Sequence, residues 1–315
     1  DLGDYGRARE WSEAAKRWGE REASTGFPGL CRIYHGEIVR RRGAWEQAEQ
    51  EVRLACDELR EFGVRAMAGV GAYELGEICR LRGDLESAER AYRDASECGC
   101  DPQPGLALLR LEQGDVEVAA AMISRALADC EPRQELEEVA AWHESRDRLS
   151  RARLLPSQIG VALAHGDLEL ARAASDELDG IAAEYRSGAF EAEAACARAA
   201  LALAEGDLAR ALAAARSGRL LWQELEMPYE AACARMTLGA IARAASEADI
   251  AKLELSAALE SFQRLGAKGE ASRAREQLLA LSRDAGGRGD RILTQRELEI
   301  LRLVTDGLTD AEIAA

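Results

Sequence analysis

The sequence predicts an all-α fold in which helical hairpins stack side by side over residues 1–281, as a curved ribbon that winds into a right-handed α-α superhelix. Three observations support this prediction. A turn that contains glycine recurs at intervals close to 40 residues, which is typical of stacked supersecondary units. Apolar residues recur at three- and four-residue spacing between the turns. Aromatic residues make up only 5% of the chain and there are six prolines, which favours close-packed helices over sheets.

The recurring turn divides the chain into units. Successive turn glycines are separated by 40, 40, 31, 52 and 40 residues, and the two irregular gaps together make about two periods. A degenerate seventh copy begins at Ser246, which lies 40 residues after Gly206. The six clear copies are Gly3-Asp4-Tyr5, Gly43-Ala44-Trp45, Gly83-Asp84-Leu85, Gly114-Asp115-Val116, Gly166-Asp167-Leu168 and Gly206-Asp207-Leu208.

The unit around Gly83 shows the chemistry of one hairpin. Gly83 can adopt the positive φ that ends a helix, and Asp84 is placed to cap the next helix. Ala88, Tyr92 and Ala95 then recur at helical spacing and form one packing face. Small residues on the preceding helix allow the two helices to approach closely.

These positions resemble the tetratricopeptide repeat, whose pattern contains a Leu-Gly pair, a Gly-Asp-Tyr-like turn, and then Ala, an aromatic residue and Ala. Leu75-Gly76 and Leu238-Gly239 supply the Leu-Gly pair in two of the units. The resemblance covers residues 1 to about 280 and implies a solenoid with a concave groove for a ligand or a partner protein. The repeats are longer than usual and are similar to those of the large ATP-binding LuxR-type regulators.

Two stretches interrupt the repeats. Residues 282–291 are polar and rich in glycine, which predicts a flexible linker after the helical array. Pro132 and Pro156 predict helix breaks on either side of an extra or lengthened helix, and a bend of the array at this point.

The last segment, residues 292–315, has the pattern of two short capped helices. Thr294 with Glu297 has the capping-box spacing, and so has Thr309 with Glu312. A glycine between the two boxes stands where the first helix would end.

This segment resembles the start of the LuxR-type DNA-binding domain, whose opening pattern is L-T-x-R-E-x-x-[IVL]-L-x-L-[IV]-x-x-G-L-[ST]-x-x-E-I-A. The resemblance implies a truncated helix-turn-helix domain whose recognition helix lies beyond Ala315. It also implies that Thr309, at a helix N-terminus, contacts DNA phosphate. The alternative is a pair of capped helices that only completes the helical array.

The ends of the chain suggest that it is part of a longer polypeptide, because it starts at Asp1 and not at a Met. The LuxR-type resemblance implies an ATP-binding domain upstream of residue 1. The sequence contains no G-x-x-x-x-G-K-[ST] loop. We therefore expect no cofactor within this chain, and ATP only in the further domain.

The net charge of −16 repels nucleic-acid phosphate. We therefore expect contact with DNA only through the complete C-terminal domain. The sequence has no long apolar run and no signal peptide, which predicts a cytoplasmic protein without a membrane span. A homo-oligomer is compatible with this composition.

Catalytic and metal-binding motifs are missing from the sequence, including the H-E-x-x-H zinc pattern and the G-x-S-x-G nucleophile elbow. The eight scattered cysteines indicate a reducing compartment and not a disulfide framework. Cys98 and Cys100 form a close pair, but no second pair and no nearby histidine accompanies them. We therefore predict neither an enzyme active site nor a metal site.

One set of basic residues follows the repeat. Arg40 and Arg80 lie one period apart, and Arg42 and Arg82 lie directly before the turn glycines. The tetratricopeptide resemblance implies that the position of Arg40 and Arg80 faces the groove. These four arginines are therefore the predicted site for a peptide or small effector that carries a carboxylate.

The alternative is that the arginines are exposed and pair with Glu37 and Glu77, which share the same repeat spacing. If Arg40 and Arg80 bind the effector, replacing both by alanine would abolish binding with little change in the melting temperature.

The sequence therefore predicts the regulatory, sensor-like region of a LuxR-type transcription factor. An effector or partner protein would bind in the groove of the superhelix and control the DNA-binding domain. The alternative is a tetratricopeptide-like adaptor that binds other proteins and not DNA.

Overall fold

The computed structural model describes Arg7, residues 10–14, Arg17, residues 28–130 and residues 137–289. Within these residues all regular secondary structure is α-helical and no strand occurs. The predicted all-α class is therefore confirmed for this part of the chain. The turn at residues 3–5 and the segment 292–315, which contains Thr309, lie outside the described residues.

Thirteen helices follow one another in the described part of the chain between residues 28 and 289. They are α1 (Pro28–Arg41), α2 (Trp45–Glu61), α3 (Arg65–Arg82), α4 (Leu85–Glu97), α5 (Gly105–Glu112), α6 (Val116–Asp129), α7 (Glu137–His165), α8 (Leu168–Tyr185), α9 (Gly188–Glu205), α10 (Leu208–Glu224), α11 (Pro228–Ala244), α12 (Ala248–Leu265) and α13 (Lys268–Gly289).

The recurring turn has the same left-handed conformation in every described copy, as its glycines predict. This conformation ends a helix and costs a non-glycine residue steric strain. The φ angle is 84° at Gly43, 81° at Gly83, 91° at Gly114, 86° at Gly166, 82° at Gly206 and 62° at Ser246 in the degenerate copy.

Three of the turns also have the predicted aspartate cap. In each case one carboxylate oxygen accepts a hydrogen bond from a backbone amide in the first turn of the next helix, which stabilises the helix by about 1 kcal/mol. The bonds join Asp84 to Ser87 at 3.1 Å, Asp167 to Leu170 at 3.0 Å and Asp207 to Arg210 at 3.0 Å.

Glycine in the first helix of a hairpin allows a large side chain of the second helix to approach it. A Cβ atom added at Gly76 would lie only 2.5 Å from Cε1 of Tyr92. Tyr92 is fully buried between Ala88 and Ala95, which are also buried, so the packing face predicted for this unit is confirmed.

The helices pack as a series of neighbouring pairs, because each helix contacts the next one along the chain. Odd-numbered helices from α1 to α11 also contact the next odd-numbered helix. In the described part of the chain, even-numbered helices make no contacts of similar extent with one another. The odd-numbered helices are therefore more closely spaced and form an inner layer, and this difference in spacing curves the array.

The last hairpins pack against the first ones, so that the array closes on itself. Helix α13 contacts α3 directly. Trp45 of α2 and Ile78 of α3 share one buried apolar cluster with Phe262 of α12 and Ala271 of α13. We call this contact between α1–α3 and α11–α13 the seam.

The seam gives turns of identical backbone conformation different surroundings. A Cβ atom added at Gly43 would lie 2.4 Å from Cδ2 of Leu265, and one added at Gly83 would lie 3.3 Å from the amide nitrogen of Gly269. At Gly206 such an atom would meet nothing within 4 Å. Among the described glycine turns of the repeat, those at Gly43 and Gly83 meet the end of the array, and those at Gly114, Gly166 and Gly206 do not.

Two local predictions need correction. Helix α7 contains Pro156 and continues through it, so the lengthened helix is confirmed but the break at Pro156 is not. Burial of Leu155 and Ile159 in the core holds the helix on both sides of the proline and offsets the lost backbone hydrogen bond. Helix α13 continues to Gly289, so residues 282–289 of the predicted linker are helical.

Among the described helices, none combines the length and the apolar character that crossing a membrane would require.

Candidate functional site

The inner layer of helices surrounds a cavity of about 330 Å³, which we call the central cavity. Residues from α1, α3, α5, α7, α9 and α11 line it, together with Trp222 of α10. Tyr73, Phe190, Trp222 and Tyr229 give it aromatic walls. A cavity that combines apolar walls with a few charged groups is the usual form of a small-molecule site.

Arg40 and Arg80 lie in the wall of the central cavity, but both are buried and paired within the protein. Only 7% of Arg40 and 9% of Arg80 is exposed. Arg40 donates from Nε to Oε2 of Glu74 at 2.8 Å. Arg80 donates to Oε2 of Glu77 at 2.9 Å and to Oε1 of Glu112 at 2.8 Å. These ion pairs join α1 to α3 and α3 to α5 along the inner layer.

Glu77 has a second buried partner, because the Tyr92 hydroxyl donates to its Oε1 at 2.5 Å. Gly105 makes room for this bond, since a Cβ atom there would lie 2.3 Å from the same oxygen. Burial alone would raise the pKa of Glu77, but Arg80 and Arg40 outweigh it and lower the pKa to about 2. The carboxylate is therefore charged and saturated at neutral pH.

Arg42 and Arg82 lie away from the central cavity. Arg42 forms an ion pair with Glu226 across the seam, and Arg82 forms one with Glu49 of α2. Effector binding by the four arginines stays a prediction. All four arginines form ion pairs within the protein. Because Arg40 and Arg80 are buried in theirs, we now expect their double substitution by alanine to lower the stability strongly and not slightly.

Of the two predicted glutamate partners, Glu77 pairs with Arg80, whereas Glu37 lies next to Arg41. Arg41 donates from Nε to Glu37 at 3.4 Å and lies 3.8 Å from Glu230 across the seam. Arg41 and Glu230 both line the central cavity, so this loose pair connects the seam to the cavity.

Two charged residues of the central cavity were not predicted from the sequence. Arg153 of α7 and Glu193 of α9 line the cavity, and within the described part of the chain neither side chain has an ion pair within 4 Å. Arg153 belongs to the stretch where the repeat pattern weakens, and Glu193 belongs to an alanine-rich helix. The signal that could have identified them is their equivalent position in the repeat, 13 residues before Gly166 and 13 residues before Gly206.

Replacing Glu193 by glutamine is expected to stabilise the protein above neutral pH by on the order of 2 kcal/mol. Burial raises the pKa of the Glu193 carboxyl from 4.5 to about 7, with Glu230 adding to the increase and Arg41 opposing it. The folded protein therefore loses stability as the pH rises from 4.5 towards and through 7, and glutamine removes this loss. Urea unfolding of both proteins at about pH 4 and about pH 8 measures the difference.

The gain in the free energy of unfolding from Glu193→Gln should be present at about pH 8 and vanish at about pH 4. Glu191→Gln is the matched control, because Glu191 is exposed on the same helix. Equal pH profiles for Glu193→Gln and the unchanged protein would show that the carboxyl ionises normally.

Other candidate chemistry is limited in the described part of the chain. All eight cysteines are free thiols, including Cys98 and Cys100. Within the described residues, no group of three or more histidine, cysteine, aspartate or glutamate side chains is placed to hold a metal ion.

Comparison with models of known protein families and with curated proteins gave no match to this chain.

Proposed function

We propose that this chain is the regulatory, effector-binding region of a LuxR-type transcription factor. The central cavity carries the proposal, since it lies within the inner layer of the array and combines aromatic walls with charged side chains. The resemblance of residues 292–315 to the start of a LuxR-type domain supports the link to DNA. A right-handed, tetratricopeptide-like superhelix is the finer description of the fold that goes with this proposal, and the periodic turns support it.

The seam supplies a route from the central cavity to the C-terminal segment. Helix α13 packs into the seam through Ala271 and Ala274, and it ends at Gly289, shortly before residue 292. An effector or partner protein that binds the closed seam better than an opened one shifts the equilibrium towards the closed state. The shift is limited by the difference in its affinity for the two states.

The proposal assigns binding and not catalysis to these residues. DNA is contacted through the completed C-terminal domain, and ATP through a domain outside residues 1–315. A protein with this proposed function would be located in the cytoplasm.

DNA binding by a protein extended to include a complete LuxR-type domain tests the proposal. In fluorescence anisotropy, this protein should bind its promoter DNA selectively, and the chain of residues 1–315 should not. Arg42→Ala removes an ion pair across the seam and should change the DNA affinity of the extended protein. Arg90→Ala is the control, because it removes an exposed pair within α4.

Selective DNA binding by residues 1–315, or a DNA affinity that does not respond to Arg42→Ala, would contradict the regulatory role. A DNA affinity that Arg42→Ala leaves unchanged, together with stable capture of a partner protein, would favour the alternative function of a protein-binding adaptor.

A further inference from the structure

Cys98 and Cys100 belong to one tight turn at the end of α4. Cys98 is the C-cap of this helix, and Gly99 follows it with a φ of 84°. The amide of Gly99 donates to the Ser96 carbonyl at 2.9 Å, and the amide of Cys100 donates to the Ala95 carbonyl at 3.0 Å. These two hydrogen bonds are those of a common helix-ending turn. The backbone therefore holds the two cysteines at a defined spacing.

Both cysteine side chains lie against the same glycine of α3. A Cβ atom added at Gly69 would lie 2.8 Å from Cβ of Cys98 and 3.0 Å from Cβ of Cys100. Since both Cβ atoms lie within 3.0 Å of one point, they are at most twice that distance apart. The two thiols therefore start from the same side of the turn, the side that faces α3.

The pair can be reached from solvent. Both cysteines are free thiols and partly exposed, and Gly99 between them is exposed. A Cβ atom added at Gly99 would meet no described atom within 4 Å. A small reagent can therefore reach both sulfur atoms without opening the hairpins.

This pair of donors suits a centre that needs two thiols. A structural Zn²⁺ site takes four ligands, and in the described part of the chain no group of three or more histidine, cysteine, aspartate or glutamate side chains could hold a metal ion. Burial and the charge of Asp101 raise the pKa of the Cys100 thiol, which favours its protonated form. Trivalent arsenic in an arsenoxide needs two thiols and reacts with them in their protonated form.

We propose that Cys98 and Cys100 bind trivalent arsenic as a dithiol chelate. An arsenoxide R–As=O reacts with both thiols and gives the dithiol adduct and one water molecule. Two As–S bonds form, arsenic loses its bonds to oxygen, and the two thiol protons leave with that oxygen as water. Arsenic stays trivalent, so neither an oxidant nor a reductant takes part. This site lies outside the central cavity and does not depend on the proposed function.

The spacing of the pair is compatible with a bridging atom over its whole permitted range. The Cβ atoms of a disulfide are about 3.5–4.5 Å apart, whereas those of Cys98 and Cys100 are only limited to at most twice 3.0 Å. An arsenic atom between the two sulfur atoms lengthens the link. Once the first sulfur has bound, the second As–S bond forms within one molecule, which favours the pair over a solitary thiol.

Native mass spectrometry of the reduced chain with phenylarsine oxide tests the proposal. We expect one arsenical per chain, added with loss of one water, and retained in about a hundredfold excess of the monothiol 2-mercaptoethanol. The dithiol 2,3-dimercaptopropanol should remove it. Alkylation by N-ethylmaleimide, mapped on peptides, should show that the arsenical protects Cys98 and Cys100 together. Zn²⁺ should protect neither, because two thiols do not complete its ligand set.

Single substitutions identify the chelate. Cys98→Ser and Cys100→Ser should each weaken retention of the arsenical by on the order of a hundredfold or more, because each leaves a single thiol. Serine is close to cysteine in size, and circular dichroism checks that the helices remain. Cys130→Ser is the matched control, because Cys130 is the C-cap of α6 with nearly the same backbone angles as Cys98. This variant should retain the arsenical like the unchanged chain.

Several results would overturn the proposal. They are removal of the arsenical by 2-mercaptoethanol, protection of only one of the two cysteines, and retention that Cys98→Ser leaves unchanged. Equal protection by Zn²⁺ would overturn the preference for arsenic. DNA takes no part in these measurements, so their failure would leave the proposed regulatory function in place.

Discussion

Replacing Arg80 by alanine is expected to lower the free energy of unfolding by about 3–5 kcal/mol, because it leaves buried carboxylates without their partner. Arg80 is 9% exposed and bridges Glu77 of α3 and Glu112 of α5. Glu77 would keep only the Tyr92 hydroxyl and the more distant charge of Arg40. Urea unfolding followed by circular dichroism at neutral pH measures the loss.

The loss should depend on pH in a specific direction. In the unchanged protein the pKa of Glu77 is about 2, so this carboxylate stabilises the fold above its unfolded pKa and loses that contribution only as the pH falls through 2. Without Arg80, burial raises the pKa of Glu77, and protonation relieves part of the damage at low pH. The effect of the substitution should therefore shrink as the pH falls towards about 4.

Arg90→Ala is the control for this experiment. Arg90 pairs with Glu86 on the surface of α4, and an exposed pair of this kind contributes about 0.5 kcal/mol or less. A loss for Arg80→Ala no larger than that of Arg90→Ala would show that the buried ion pairs do not form.

Replacing Phe262 by alanine is also expected to cost about 3–5 kcal/mol. Phe262 is fully buried at the seam, and its ring centroid lies 5.8 Å from that of Tyr229. Tyr229 in turn lies 6.0 Å from Trp45 of α2. The substitution therefore leaves a cavity that weakens contacts between the two ends of the array and not only within one hairpin.

Hydrogen exchange distinguishes this effect from a local one. Faster exchange should appear in α1–α3 as well as in α11–α13, although α2 and α12 are distant in sequence. Leu253→Ala on the same helix is the control, because Leu253 is 67% exposed. Faster exchange confined to α11–α13 would mean that Phe262 does not hold the ends together.

The turns and hairpins could be predicted from the sequence because their causes are local. A positive φ at Gly83 and a cap by Asp84 depend only on residues within one or two turns of helix. The seam could not be predicted in this way. Trp45 and Phe262 occupy apolar faces that would serve equally well for packing within a hairpin, and nothing local identifies their partners across the array.

The candidate site was predicted in part. The repeat places Arg40 and Arg80 on the inner layer, and both line the central cavity. The pairing of these arginines with buried carboxylates could not be foreseen. The partner of Arg40 is Glu74, which lies 34 residues away in the sequence and reaches Arg40 only when α1 and α3 stack. Arg153 and Glu193 occupy equivalent positions of two successive units, each 13 residues before a turn glycine, but they were missed because the two side chains have opposite charges and do not show up as a repeated residue type.

The closure of the array around the central cavity is tested most directly by a disulfide across the seam. A Cβ atom at Gly83 lies 3.6 Å from that of Lys268, which is within the range of about 3.5–4.5 Å for cysteine pairs. Gly83→Cys with Lys268→Cys should therefore cross-link on mild oxidation, as mapped by peptide mass spectrometry. Gly206→Cys with Lys268→Cys is the matched control, since Gly206 has nearly the same φ but no neighbour within 4 Å. A cross-link in the first pair alone is the predicted result, and equal yields in the two pairs, or none in either, would contradict the closed array.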